Sequence, residues 1–140
     1  MRATKYLLQV RRLDSRINNK LAEKQRIIDL VTGVSPSLSG MPRPTGNHDK
    51  IGDAVARLTE VEEEINRIID QLVDVRAEVV SLLETLPADE YNVLHQYYVQ
   101  GLTVEVIAEG MERTERQIYR IKARGLKRVQ AILDAREPAG

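Results

Sequence analysis

Apolar residues recur every three or four positions along the first part of the chain. This spacing predicts one long helix with a single apolar side, formed by Tyr6, Leu7, Val10, Leu13, Ile17, Leu21, Ile28 and Val31. Gly33 is expected to end the helix. The following stretch, GVSPSLSGMPRPTGNHDK, contains three Pro and three Gly, which interrupt regular backbone, so we predict a long loop over residues 33–50.

A second, more regular pattern predicts a helix from Ile51 to Leu86. Two sets of apolar residues repeat every seven positions along it: Leu58, Ile65, Leu72, Val79 and Leu86, and between them Val61, Ile68, Val75 and Leu82. Such a heptad pattern is typical of helices that pack against another helix. At about 1.5 Å per residue the helix would be about 54 Å long, so it needs a partner.

Charge favours the first helix as that partner. Residues 1–33 carry eight basic and three acidic residues, whereas residues 51–90 carry three basic and eleven acidic residues. Opposite charges select an antiparallel hairpin over residues 1–86, and the apolar residues supply its stability. Two interpretations stay open, because the shorter first helix leaves part of the heptad pattern uncovered. One is a plain intramolecular hairpin, and the other is a homodimer formed through it.

Residues 87–136 predict three shorter helices. The segment ADEYNVLHQYYVQG begins after Pro87 and ends at Gly101. Thr103 is suited to cap the next helix, VEVIAEGM, and Thr114 to cap the last one, which runs to about Ala135. Helices of this length joined by a tight turn form a helix-turn-helix domain, so the whole chain is predicted to be all-α.

The stretch LPADEYNVLHQYYVQGLTVEVIAEGMERTERQIYRIKARGLKRV resembles region 4 of sigma-70-type factors, the part that reads the −35 promoter element. The resemblance covers roughly residues 86–129 and rests on Leu86-Pro87, the link from Tyr97 to Thr103, Ile107-Ala108, Thr114, Ile118, Ile121 and the run from Ala123 to Leu126. Glu112 departs from the family, which usually has Gly or Asn there for a left-handed turn residue. Gly110 is expected to take up part of the bend.

A helical wheel predicts which side of the last helix meets DNA. It places Ile118, Ile121, Gly125 and Val129 inward and Arg116, Arg120, Ala123 and Lys127 outward. Carried over by resemblance, the base-reading positions are Glu115, Arg116, Tyr119 and Arg120, and Arg116 is the first choice for two hydrogen bonds to guanine. The predicted phosphate contacts, which position the domain without reading sequence, are Thr103, Arg113, Thr114, Arg124, Lys127 and Arg128.

The whole chain also resembles a group of small phage and prophage proteins, the ArpU-like late-transcription regulators. This resemblance implies a phage-type transcription regulator that binds double-stranded DNA, with RNA polymerase as a further partner. A complete sigma factor also needs an aromatic-rich domain to open the −10 element. The chain contains no Trp or Phe, so it is not expected to initiate transcription alone.

Other chemistry finds little support in the sequence. With no Cys and only two His far apart, we expect no metal site or disulfide, and no cofactor. Patterns typical of nucleotide-binding loops, zinc proteases and serine hydrolases are missing, so the chain is not expected to be an enzyme. No run of eighteen apolar residues occurs, so we expect a cytoplasmic protein without membrane contact.

Two functions from other classes compete with transcription regulation. A small terminase subunit also combines a helix-turn-helix with helical oligomerisation segments, but its DNA-binding part usually comes first, whereas here it comes last. A polymerase-binding interaction protein would use the basic helix to contact protein only.

Overall fold

The computed structural model describes residues 1–33 and 48–137, and every regular element within these ranges is a helix. The all-α prediction is therefore confirmed. The helices are α1 (Ala3–Thr32), α2 (His48–Leu83), α3 (Ala88–Leu94), α4 (Val104–Met111) and α5 (Glu115–Arg136), with a π-helical segment, His95–Val99, directly after α3. Most of the predicted loop over 33–50, residues 34–47, lies outside the described residues.

Helix α2 is displaced by three residues at both ends from the predicted range. It begins at His48, and residues 48–50 include neither Gly nor Pro to interrupt it. It ends at Leu83 rather than Leu86, and the chain tightens there through a 3.1 Å hydrogen bond from the Thr85 N–H to the Leu82 carbonyl. Pro87 keeps the helix from continuing through Leu86, because the residue before a proline is pushed out of helical conformation.

Contacts divide the chain into two compact units, Met1–Leu13 with Leu72–Gly140, and Asp14–Gln71. The predicted domain boundary between residues 86 and 87 stays a prediction. What the sequence did not indicate is that the first turns of α1 and the last turns of α2 share a core with the C-terminal helices.

In the unit Asp14–Gln71, α1 and α2 run antiparallel, as their ion pairs show. Lys20 pairs with Glu64, and the Lys24 ammonium lies 3.5 Å from a Glu62 carboxylate oxygen. The residue number therefore rises along α1 while that of its partner falls along α2. The hydrogen bond from Lys20 keeps the pKa of Glu64 below its usual value. Three heptad residues are buried in this unit: Val61, Ile65 and Ile68. Lys20 and Lys24 of α1 thus face acidic residues of α2.

The larger unit has a core to which four helices contribute. Leu7 and Val10 of α1, Val79 of α2, Leu94 of α3 and Val129 of α5 are all at most 1% exposed and belong to one apolar cluster. The backbone N–H of Ala3 also donates to Oε1 of Gln130 at 2.7 Å, which fastens the start of α1 to α5. Residues 1–13 are therefore an integral part of this unit.

The helix-turn-helix has a second apolar cluster of its own. Ile107 and Ala108 of α4 pack with Ile118 and Ile121 of α5, and Val93 of α3 belongs to the same cluster. All five side chains are at most 5% exposed. The helical wheel had already assigned Ile118 and Ile121 to the inner side of α5.

Two left-handed residues shape the turns around α4. Gly101 has φ of 74°, which glycine adopts without steric cost, and it ends the π-helical segment. Glu112 has φ of 56° and ψ of 45°, and its N–H and that of Arg113 donate to the carbonyls of Glu109 and Ala108. The expected turn forms despite the missing glycine. Gly110, expected to take up part of the bend, stays inside α4.

Candidate nucleic-acid interface

Helix α5 separates an inner from an outer side as the helical wheel predicted. Ile118, Ile121, Gly125 and Val129 are buried. All four predicted base-reading residues are exposed on the outer side, where Glu115, Arg116, Tyr119 and Arg120 lie in the first two turns. Tyr119 has 55% of its surface exposed. The arrangement presents one acidic, two basic and one aromatic side chain from the start of a helix that follows a tight turn.

The two predicted caps position this helix and its neighbour. The Thr103 hydroxyl accepts from the Val106 N–H at 3.3 Å at the start of α4, and the Thr114 hydroxyl accepts from the Gln117 N–H at 3.1 Å at the start of α5. Gln117 also returns the contact, since its Oε1 accepts from the Thr114 N–H at 2.9 Å. This reciprocal capping box defines where α5 begins. Both hydroxyls therefore cap a helix, in addition to the phosphate contact predicted for them.

Two predicted phosphate contacts already have carboxylate partners on α3. Arg124 donates to Oδ2 of Asp89 at 3.0 Å, and the Nε of Arg128 donates to both oxygens of Glu90 at 2.8 and 3.1 Å. Their remaining guanidinium nitrogens are not used in these bonds, and both side chains are more than half exposed. Among the described residues, Arg113, Arg116, Arg120 and Lys127 form no ion pair and are exposed.

Gly125 allows α5 to approach α3 closely. A Cβ atom at this position would lie 2.8 Å from Leu94 Cδ1 and 3.4 Å from Glu90 Cβ. The first distance is well inside van der Waals contact, so a larger residue at this position would force the buried Leu94 side chain to shift. Close packing at Gly125 brings the Arg128 side chain within reach of the buried Glu90.

A cavity of about 380 Å³ lies beside the exposed side of α5. Tyr119, Thr103 and Glu105 line it from the helix-turn-helix, Tyr97 lines it from the π-helical segment, and Arg11 lines it from α1. The Arg11 guanidinium carbon lies 4.4 Å from the centroid of the Tyr97 ring and Nζ of Lys122 lies 4.0 Å from it. Arg11 also donates to the Tyr97 carbonyl oxygen.

Arg11, Lys122 and Tyr97 belong to this surface although the sequence did not predict it. Lys122 was within reach of a pattern argument, because it follows Tyr119 by three residues and Glu115 by seven, and such residues share one side of a helix. Arg11 carries no such signal. It lies 86 positions before Tyr97 in the sequence, and only tertiary packing joins the two.

Within residues 1–33 and 48–137 no group of three or more His, Cys, Asp or Glu is placed to hold a metal ion. Over the same ranges no helix has the length and hydropathy needed to cross a membrane.

Comparison with known families agrees with the geometry. Residues 82–131 match the profile of the family described as Sigma-70, region 4. The match includes α3, the π-helical segment and α4, and it extends through most of α5. It supports a sigma-region-4-like helix-turn-helix of the kind found in DNA-binding transcription regulators. No curated protein and no solved structure matches the chain.

Proposed function

We propose that the chain is a DNA-binding transcription regulator of phage type whose α5 reads promoter or operator DNA in the major groove. The observation that carries the proposal is the exposed set Glu115, Arg116, Tyr119 and Arg120 at the start of α5, within the segment that matches sigma-70 region 4. A helix N-terminus that enters the major groove brings its first exposed side chains to the base edges.

In this proposal each side chain has a chemical role. Arg116 donates two hydrogen bonds to guanine O6 and N7, Glu115 accepts from the cytosine amino group, and Tyr119 contacts a thymine methyl group or a phosphate. Arg113 and Lys127, exposed and without carboxylate partners among the described residues, bind phosphates. No step changes a covalent bond, and the protein acts as a binding module rather than an enzyme.

Two partners complete the proposal. RNA polymerase is the first, because the sigma-70 region 4 match suggests it, and the protein would act with polymerase in the cytoplasm rather than initiate transcription alone. A second copy of the chain is the other. Exposed apolar residues of the unit Asp14–Gln71 support dimer formation there, with Leu30 at 62% exposure and Ile51 and Val55 at 47% each.

Selection of random duplexes by the purified full chain tests the proposal. The enriched duplex is then titrated at several salt concentrations, with molar mass measured by light scattering. An enriched motif with a steep salt dependence is expected, and a dimer is expected to select paired half-sites. A ring-sized oligomer would favour a small terminase subunit instead. No enrichment and no affinity for DNA at low salt would contradict the proposal and favour a protein that binds polymerase only.

A further inference from the structure

Two cationic side chains, Arg11 of α1 and Lys122 of α5, contact the ring of Tyr97. Arg11 and Lys122 lie 4.4 and 4.0 Å from the Tyr97 ring centroid, measured from the guanidinium carbon and from Nζ. From this geometry we propose that Arg11 and Lys122 form a binding point for a DNA phosphate, so that α1 contributes directly to the DNA interface. The inference rests on the proposed function and adds residues from outside the helix-turn-helix to it.

The charge of this pair calls for an anion. The face of an aromatic ring attracts a cation, but two cations near one ring also repel each other. Among the described residues neither Arg11 nor Lys122 forms an ion pair with a carboxylate. Glu105 also lines the cavity, but it forms no ion pair with either cation among the described residues. A phosphate bound to the two cations would neutralise the local charge.

The position of the pair favours DNA over an acidic protein as the source of that phosphate. On a helix with about 100° per residue, Lys122 projects about 20° from Glu115 and about 60° from Tyr119, and it lies at the border between these two predicted base-reading residues and the buried side of α5. Arg11 lines the same cavity as Tyr119 and Thr103, both predicted from the sequence to contact DNA. A duplex that meets those residues therefore brings its backbone close to Arg11 and Lys122.

The structure holds Arg11 in place for this role. Its guanidinium donates to the Tyr97 carbonyl oxygen and stacks on the Tyr97 ring, so its rotamer freedom is already reduced before any ligand binds. Leu7 and Val10 of the same helix are buried in the core beneath it. A guanidinium has five N–H donors, and the bond to Tyr97 leaves others for a phosphate.

Three single substitutions in the full chain test the inference. Arg11→Gln and Lys122→Gln each remove one of the two cations. Arg12→Gln removes the same charge from the neighbouring position, which is exposed and forms no ion pair among the described residues, and so serves as the matched control. Affinity for a random duplex and for the selected duplex is measured between 0.05 and about 0.3 M salt, a range over which phosphate contacts dominate the salt dependence. A melting curve is recorded for each variant.

The expected result is the same loss on both duplexes. Arg11→Gln and Lys122→Gln should each weaken binding about fivefold to tenfold near 0.1 M salt and lower the salt slope by about one, whereas Arg12→Gln changes neither. If Arg11→Gln melts well below the wild type, its loss of affinity could come from a damaged fold. The affinity and salt slope of Lys122→Gln then test the inference.

Failure of the inference is distinct from failure of the proposed function. If the wild-type chain binds DNA and Lys122→Gln and a folded Arg11→Gln both behave like Arg12→Gln, the phosphate site is refuted and the regulator remains. If the wild-type chain binds no duplex even at low salt, both proposals are refuted.

Discussion

The guanidinium of Arg128 closes over the buried carboxylate of Glu90, with Nε 2.8 Å from Oε1 and 3.1 Å from Oε2. Glu90 is only 3% exposed, and it is the one buried charged residue of the described chain. The pair joins α3 to α5 across the close contact at Gly125. A carboxylate this deeply buried needs a partner, since an uncompensated charge in the interior is costly.

Removing the partner of Glu90 should destabilise the larger unit. We expect Arg128→Gln to lower the free energy of unfolding by about 1–3 kcal/mol, a range reduced from that of fully buried pairs because Arg128 is 58% exposed. Urea unfolding measures the change, and Lys127→Gln, at an exposed position next to it, is the control. Adding Glu90→Gln to Arg128→Gln should restore part of the loss. Equal stability of Arg128→Gln and Lys127→Gln would show that the pair contributes nothing.

A methyl group should have opposite effects at two helical glycines. Gly125→Ala places a Cβ 2.8 Å from Leu94 Cδ1, so the buried Leu94 side chain must shift, and we expect the free energy of unfolding to fall by about 1–3 kcal/mol. At Gly110 the added Cβ meets nothing within 4 Å, and alanine favours the helix, so Gly110→Ala should add about 0.5–1 kcal/mol. Thermal melting curves of Gly125→Ala and Gly110→Ala check both expectations. A harmless Gly125→Ala would contradict the close approach.

The left-handed conformation of Glu112 predicts a stabilising substitution. Its φ of 56° costs a residue with a Cβ about 1 kcal/mol, and glycine avoids that cost. Glu112→Gly should therefore raise the melting temperature by a few degrees, with Glu112→Ala as the control that keeps the Cβ. If the two variants melt alike, the turn is not left-handed at this residue in solution.

Mutations of a base-reading residue and of a phosphate-binding residue should affect DNA binding in different ways. Arg116→Ala is expected to weaken binding to the selected site by about 1–3 kcal/mol and to relax preference at one base pair, with little effect on random DNA. Lys127→Ala should weaken binding to all duplexes alike and reduce the salt slope by about one. Competition assays with the selected and random duplexes distinguish the two. Identical behaviour of both variants would refute the division of roles.

His95 should make the protein less stable in mild acid. Burial lowers its pKa, and the charge of Arg76 lowers it further, against a smaller opposing effect of Glu84. The folded state therefore binds the His95 proton more weakly than the unfolded chain does. Above about pH 6.5, where His95 is neutral in both states, it does not lower the free energy of unfolding. As the pH drops below that value, the free energy of unfolding falls. Melting temperatures from pH 7.5 to 5.5 should decline for the wild type and less for His95→Gln. His48→Gln controls for the other histidine, and an equal decline in all three would rule out His95.

Much of the candidate site was predictable because it is local. Helical spacing alone assigned Ile118, Ile121, Gly125 and Val129 to the inner side of α5, and residue type assigned the caps Thr103 and Thr114. The capping box through Gln117 was also within reach, since the residue lies three positions after the cap. These features depend on residues at most four positions apart.

What the sequence determined by itself is the set of helices, their apolar sides and the basic exposed side of α5, because each follows from periodicity and residue type over a few turns. Tertiary structure alone decided that residues 1–13 join the core of the C-terminal helices, that Glu90 accepts hydrogen bonds from Arg128, and that Arg11 and Lys122 contact the same Tyr97 ring. Those contacts join residues far apart in the chain, so they depend on how apolar surfaces pack in three dimensions, which the local pattern does not encode.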